Sequence, residues 1–104
     1  MNDQIDKIKK VVEEQTGCAA THQKTVPVVE TFRKRILWEG PVEVFELTSH
    51  PDTKLCYAWS YDEDGETHFV TALDIPPVFS AKSAVSMYIS SLVRHRSDRG
   101  VKVT

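Results

Sequence analysis

The stretch that decides the fold is residues 55–75, which read LCYAWSYDEDGETHFVTALDI. Two runs rich in aromatic and β-branched residues flank the segment 62–65, DEDG. Side chains alternate between the two faces of a strand, and a glycine in a short acidic segment supplies the positive φ that a tight turn needs. The stretch therefore predicts a hairpin of two antiparallel strands over residues 55–61 and 67–75.

The two faces of this hairpin differ in the size of their side chains. On the first strand, the large residues Leu55, Tyr57, Trp59 and Tyr61 share one face, and the small residues Cys56, Ala58 and Ser60 share the other. The second strand also offers a face of larger and a face of smaller residues. The sequence therefore leaves open which face of the sheet is buried.

Two more strands are predicted before the hairpin. Residues 26–32 are rich in β-branched side chains, and Pro27 suits the start of a strand or an edge strand because proline has no N–H to pair. A solvated turn, RKR at 33–35, leads to a long strand over 36–48. The Gly-Pro step at 40–41 indicates a bulge or a bend within that strand.

Helices are predicted at both ends of the meander. Residues 3–16 place apolar side chains at three- and four-residue steps, and a serine cap begins a second, more apolar helix over 80–96. We expect residues 18–25 to be a connecting loop, and the tail 97–104 to be disordered or to add to a sheet edge. The predicted fold is a single α+β domain over residues 1–104, with an N-terminal helix, a four-stranded antiparallel meander and a C-terminal helix packed on one sheet face.

Composition indicates an ordinary globular chain with nearly balanced charge. Thirteen Lys+Arg against fifteen Asp+Glu give a net charge of −2, whereas nucleic-acid binders concentrate cations against phosphates. No apolar run approaches the ~20 residues that cross a bilayer, and the polar N-terminus differs from a signal peptide. We expect a cytoplasmic protein with no nucleic-acid or membrane partner, in which Cys18 and Cys56 are reduced thiols.

Aromatic side chains are the first candidates for a binding surface. Tyr57, Trp59 and Tyr61 share one strand face, and Trp38 lies on the preceding strand. If that face is exposed, a patch of this size marks a ligand or partner surface. If it is buried, the rings form the core or a homodimer interface, and this second interpretation is favoured because aromatic rings dominate buried area.

A second candidate combines carboxylates with a histidine. Glu39 and Glu43 flank the predicted bulge, and His50 follows in the next turn. Two carboxylates can share acid–base work, but on a straight strand these two lie about 13 Å apart. Solvated charge is the favoured interpretation. The alternative is a small enzyme or metabolite-binding protein with a pocket near Trp38, Glu39, Glu43, His50 and Trp59.

No motif in the sequence supports a metal, a cofactor or a catalytic nucleophile. The acidic residues at 62–66 lack the spacing of a calcium loop. The four histidines show no paired metal-ligand spacing, and neither a phosphate-binding loop nor a nucleophile elbow occurs. We therefore expect no catalytic residue, no metal site and no cofactor.

Two resemblances cover much of the chain. The helix–strands–helix order, with SAKSA at 80–84, resembles a double-stranded-RNA-binding domain and implies RNA contacts through residues 33–35 and Lys82. However, Lys82 is the only cation in that opening, and proline replaces the glycines of that family, so RNA binding is a lesser alternative. Separately, WEGPVEVF at 38–45 with HP, YAWS and IPPV further on is similar to small bacterial proteins, some carried on mobile gene cassettes. No activity is attached to them, so this resemblance implies only a stand-alone bacterial protein.

The favoured hypothesis is a non-enzymatic binding or interaction module that forms a homo-oligomer, simplest as a dimer. It rests on the aromatic residues concentrated on one strand face without a catalytic motif beside them. The expected contact is the sheet face or the edge strand at 26–32. A protein or small-molecule partner stays open.

Overall fold

The structure, a computed structural model, describes residues 3–91. Helix α1 spans Asp3–Thr16, and residues 81–91 form helix α2 up to the end of the described chain. The predicted end of the second helix and the predicted tail at 97–104 lie outside the described residues. Between the helices lie four strands: β1 Ala20–Phe32, β2 Arg35–Leu47, β3 Leu55–Glu63 and β4 Glu66–Leu73.

The strands form one antiparallel sheet in the order β1-β2-β3-β4. Arg33 and Lys34 turn the chain between β1 and β2, and Asp64 and Gly65 turn it between β3 and β4; all four have positive φ. Positive φ at both central positions is the turn geometry whose twist matches that of paired strands. The predicted α+β meander between two helices is confirmed.

Each face of the sheet is covered by a different helix. The face with Tyr57 and Trp59 packs against Val85 of α2, which confirms that the C-terminal helix covers one face. The opposite face, with Cys56, packs against Val12 of α1. Val12 and Val85 are both fully buried. The sequence left open which face of the sheet is buried. In the structure both faces are buried, one under each helix.

Strand β1 begins earlier than predicted. The loop predicted over 18–25 is wrong, because Ala20 already pairs with Leu47 and the ladder continues from there. The Glu13 carboxylate of α1 also accepts the N–H of Ala20 at 2.9 Å. This part of β1 is mostly polar, so the partner strand, rather than its own β propensity, makes it a strand.

The bulges also differ from the prediction. The β1–β2 ladder runs without interruption through 40–41, so of the bulge or bend predicted there the bulge is wrong. The ladder has two register shifts. One falls on β1 within 22–24, and the other falls on β2 at Leu37, which lies between the partners of Thr31 and Glu30. Gly40 has a different role, because a Cβ at this position would lie 3.0 Å from the Trp38 ring. Glycine lets that ring lie over the strand.

Candidate interaction surface

The β1–β2 hairpin projects beyond the rest of the sheet. These two strands pair as far as Phe32 and Arg35, whereas β2 pairs with β3 only over Glu43–Glu46. Residues 29–39 therefore form a two-stranded ribbon with no third strand paired to it in the described chain. We call these residues the projecting ribbon.

A pair of prolines accounts for the point where the ribbon leaves the sheet. Pro27 and Pro41 lie directly opposite each other in the β1–β2 ladder. Opposite residues of an antiparallel pair exchange either two N–H···O bonds or none, and two prolines belong to the second kind. Their missing N–H positions thus face away from each other, that of Pro27 toward the free edge and that of Pro41 toward β3. Because Pro41 offers β3 no donor, the β2–β3 ladder begins only at Glu43.

The projecting ribbon carries large apolar side chains that are open to solvent. The exposed fraction is 41% for Val29, 58% for Phe32, 60% for Ile36 and 46% for Leu37. Scattered exposed apolar side chains are common on proteins, but several on one small segment mark an interaction site. The sequence analysis named the edge strand at 26–32, which contains Val29 and Phe32, as an expected contact, but it missed Ile36 and Leu37 because it assigned them to an ordinary strand of the sheet.

The end of the projecting ribbon is strongly basic. Arg33 and Lys34 form its turn, Arg35 begins the returning strand, and all three are exposed. The Arg33 guanidinium lies 5.2 Å from the centre of the Phe32 ring, a cation–π distance. Positive φ costs energy for residues with a side chain. The turn nevertheless has two cationic side chains where glycine would fit more easily.

Helix α2 covers the free edge of β1 at the base of the ribbon. The Lys82 ammonium donates to the carbonyl of Val29 at 3.0 Å, and the Ser86 hydroxyl donates to the Glu30 carboxylate. Val29 is two residues from Pro27 in the ladder. Its backbone C=O therefore faces the free edge of β1, as the ring nitrogen of Pro27 does. A proline and a lysine are devices that block the addition of another strand to a sheet edge. The central part of the β1 edge is therefore protected.

The predicted aromatic residues form a connected cluster on the face that α2 covers. The buried Trp59 ring lies 6.2 Å from the Trp38 ring and 5.8 Å from the Tyr88 ring. The Tyr61 ring lies 6.3 Å from Tyr88, and the two hydroxyl oxygens are 3.3 Å apart. Tyr57 is also buried. Tyr57 and Trp59 are therefore core residues, while Trp38 and Tyr61 are half-buried at its border.

Burial raises the pKa values of two tyrosines on this face. Desolvation, the hydrogen bond with Tyr61 and the nearby Glu63 carboxylate raise the pKa of Tyr88 to about 12. Desolvation and the Asp74 carboxylate, which accepts a hydrogen bond from the phenol, raise the pKa of Tyr57. Both phenols are therefore neutral hydrogen-bonding groups at physiological pH.

Glu43 is buried on the opposite face, in a polar network that the sequence did not reveal. Its carboxylate accepts a hydrogen bond from the Thr25 hydroxyl and lies 2.8 Å from Nε2 of His22. The His22 ring packs edge-on to Phe45, with ring centres 5.4 Å apart. The network depends on the β1–β2 register, which places Thr25 opposite Glu43. Because register is a property of two strands, spacing along the chain carried no signal for it.

The remaining residues of the predicted pocket do not converge. Glu39 is exposed on the projecting ribbon. His50 lies in the β2–β3 loop, where Nδ1 accepts two backbone N–H groups of that loop at 3.1 and 3.3 Å. Trp38 and Trp59 lie on the α2 face, whereas Glu43 lies on the α1 face. The structure brings the two tryptophans together and places Glu39, Glu43 and His50 away from them.

A cavity opens at another place on the α2 face, where α2 begins. Its volume is about 310 Å³, near the lower limit of small-molecule sites. Aliphatic side chains of three strands line it together with Lys24, Tyr57, Phe79 and Lys82. Among the predicted binding residues, Tyr57 alone contributes to this lining.

The β3–β4 turn carries four exposed carboxylates. We call Asp62, Glu63, Asp64 and Glu66 the acidic turn. Asp62 accepts a hydrogen bond from the Thr67 hydroxyl at 2.7 Å. Over residues 3–91, no three His, Cys, Asp or Glu side chains are grouped so as to hold a metal ion.

Comparison with protein families, with curated proteins and with solved structures finds no significant match to this chain. In the part of the chain that the structure describes, no helix combines the length and the apolar character needed to cross a bilayer.

Proposed function

We propose that this protein is a non-enzymatic interaction module that assembles with a second copy of itself through the projecting ribbon. The observation that carries the proposal is the exposure of Val29, Phe32, Ile36 and Leu37 on a ribbon to which the described chain pairs no third strand. Transfer of apolar surface from water into an interface contributes ~25 cal/mol per Å² before the costs of association. A projecting ribbon is well shaped to bury such surface against a neighbour.

Side-chain contact at the ribbon is favoured over the other surfaces considered from the sequence. Helices α1 and α2 cover the two faces of the sheet. Pro27 and Lys82 protect the edge at 26–32 against pairing with another strand. The apolar side chains of the projecting ribbon are open to a partner.

The non-enzymatic part of the proposal is supported by how the reactive side chains are engaged. The Glu43 carboxylate is bonded to Thr25 and His22, and the His50 ring closes a loop. Burial raises the pKa of the Cys56 thiol to about 11, so this cysteine is a protonated, poor nucleophile near neutral pH. These groups act as structural elements of the fold.

Molar mass in solution tests the proposal. Light scattering of the wild-type protein at micromolar concentration is expected to give twice the monomer mass of 11.8 kDa. The double variant Phe32→Ser/Ile36→Ser is expected to be monomeric, because it removes the two most exposed apolar side chains of the ribbon. Neither residue belongs to a core cluster, so circular dichroism of the variant should match that of the wild type.

A matched control removes exposed apolar side chains elsewhere. Phe79 and Met87 are 76% and 42% exposed and lie outside the projecting ribbon. The variant Phe79→Ser/Met87→Ser is expected to stay dimeric. A monomeric wild-type protein, or a dimer that persists in the ribbon variant, contradicts the proposal.

A further inference from the structure

The projecting ribbon and the acidic turn present opposite charges that are not paired with each other. The ribbon tip has the cations Arg33, Lys34 and Arg35, and the acidic turn has four carboxylates. Among residues 3–91, the contacts between basic and acidic side chains within 4.0 Å are His22–Glu43 and the longer His68–Glu66. The tip and the turn therefore do not neutralise each other within one chain, and both charge clusters face solvent.

The acidic turn and the base of the projecting ribbon lie equally far along the strands from the paired part of β2 and β3. Equal numbers of residues lead outward from the Glu43–Ala58 pair to Trp38 on β2 and to Glu63 on β3. The acidic turn is thus level with the base of the projecting ribbon. The tip lies further out: the ladder runs two residues from Glu30, the partner of Trp38, to Phe32, and the turn adds about one more, roughly 10 Å at 3.3 Å per residue. Two ribbons packed side by side in opposite directions place each tip beside the acidic turn of the other molecule.

We infer that the basic tip of the projecting ribbon binds the acidic turn of a second copy, twice in each dimer. This inference rests on the self-association proposed above and defines its charge pairing. A two-fold axis makes every contact occur in both directions, so both tips and both turns are satisfied together. The apolar side chains along the ribbon, Phe32 and Ile36 foremost, lie between the two charged contacts. Tip-to-tip packing is disfavoured, because it brings the cations of both molecules together.

A second copy matches both charge clusters, whereas a polyanion matches one. Nucleic acid or an anionic bilayer attracts the basic tip through phosphates. The same polyanion repels the four carboxylates of the acidic turn and a chain whose net charge is −2. Bases stack on aromatic rings, and of the four exposed apolar side chains of the ribbon Phe32 alone is aromatic, whereas Val29, Ile36 and Leu37 are aliphatic. The charges and the apolar side chains together favour a second copy of this chain.

Reciprocal charge reversal tests the pairing. One variant reverses the tip with Arg33→Glu/Arg35→Glu, and the other reverses the acidic turn with Asp62→Lys/Glu63→Lys/Glu66→Lys, which leaves Asp64 as the one carboxylate of the turn. Each variant alone is expected to raise the dimer Kd by about tenfold or more at low ionic strength, because like charges then meet at both contacts. In an equimolar mixture, the negative tip of one variant meets the positive turn of the other and the remaining pair is wild type. Native mass spectrometry is expected to show heterodimers in preference to either homodimer.

The control variant Glu14→Lys/Glu46→Lys/Asp52→Lys makes the same change in charge as the reversed turn, at exposed positions outside both clusters. Its dimer Kd is expected to stay within about twofold of the wild-type value. The charge pairing is overturned, with self-association intact, if Phe32→Ser/Ile36→Ser abolishes the dimer while both reversal variants match the control and no heterodimer preference appears. A tip-dependent gel shift with RNA, unaffected by reversal of the turn, also overturns it. A monomeric wild-type protein removes the proposed function and this inference together.

Discussion

Glu43 illustrates how one residue acquires its role from its neighbours in space. In the sequence it is one of several acidic residues on a predicted strand, and in the fold it is buried and bonded to His22 and Thr25 of β1. A buried carboxylate is tolerated when hydrogen bonds replace its lost solvation. The network therefore ties the edge strand β1 to β2.

Removal of this carboxylate is expected to destabilise the fold. Glu43→Ala leaves the Thr25 hydroxyl and the His22 ring without their acceptor, so the unfolding free energy should fall by about 1–3 kcal/mol. Urea unfolding followed by tryptophan fluorescence measures the change. Glu39→Ala, an exposed position four residues earlier on the same strand, should stay within about 0.5 kcal/mol of the wild type. Equal losses in the two variants would show that the network does not contribute.

At the scale of elements, β1 combines two tasks that conflict. It is a 13-residue edge strand, and long unprotected edges are templates for aggregation. Pro27 removes an outward N–H near the middle of the strand, and Lys82 of α2 occupies the outward carbonyl of Val29. Beyond these residues the strand continues into the projecting ribbon, where contact is expected through side chains.

Loss of both devices is expected to expose the edge. The variant Pro27→Val/Lys82→Ala restores an outward N–H and frees a carbonyl, so it should form larger assemblies than the wild-type protein. Sedimentation velocity and dye binding after prolonged incubation report such assemblies. The control Pro51→Ala/Lys10→Ala replaces one exposed proline and one exposed lysine away from β1 and should behave as the wild type. Identical sedimentation of all three proteins would refute the edge argument.

At the scale of the whole molecule, the sheet lies between two helices and has a small core on each face. Cys56 lies on the inner strand β3, fully buried in the core under α1, whereas Cys18 is half-buried after the end of α1. Burial raises the pKa of the Cys56 thiol from 9.0 to about 11. Reaction of the Cys18 thiol therefore reports local exposure, whereas reaction of the Cys56 thiol reports unfolding of the whole sheet.

Thiol alkylation is expected to separate the two cysteines. In the native protein, iodoacetamide should modify Cys18 and spare Cys56, which should react only as urea unfolds the domain; peptide mass spectrometry reads both sites. The Cys56 thiol also makes the free energy of unfolding depend on pH, because the unfolded chain loses the Cys56 proton at a lower pH than the folded chain. The contribution of this thiol to the free energy of unfolding is fully present below about pH 9 and is lost as the pH rises through about 11. A Cys18→Ser variant should show no modification under native conditions. Reaction of both thiols at one native rate would mean that the α1 side of the sheet opens locally.

Features that depend on neighbours along the chain could be predicted from the amino-acid sequence. Helix α1 has the predicted bounds, because its apolar spacing and the glycine after it are local signals. The β3–β4 hairpin follows from strand alternation around a turn segment with a glycine at positive φ. Helices before and after one antiparallel meander follow from the order of these signals.

Tertiary structure alone decided the features that depend on a partner segment. The early start of β1, the bulges and the Glu43 network all depend on register, which belongs to two strands and not to either sequence. The buried face was ambiguous because a strand that is covered on both faces has no polar face to mark the solvent side. The residues of the projecting ribbon have the composition of ordinary strands. They are exposed because β3 pairs with only a short part of β2, so that no third strand of the described chain covers them.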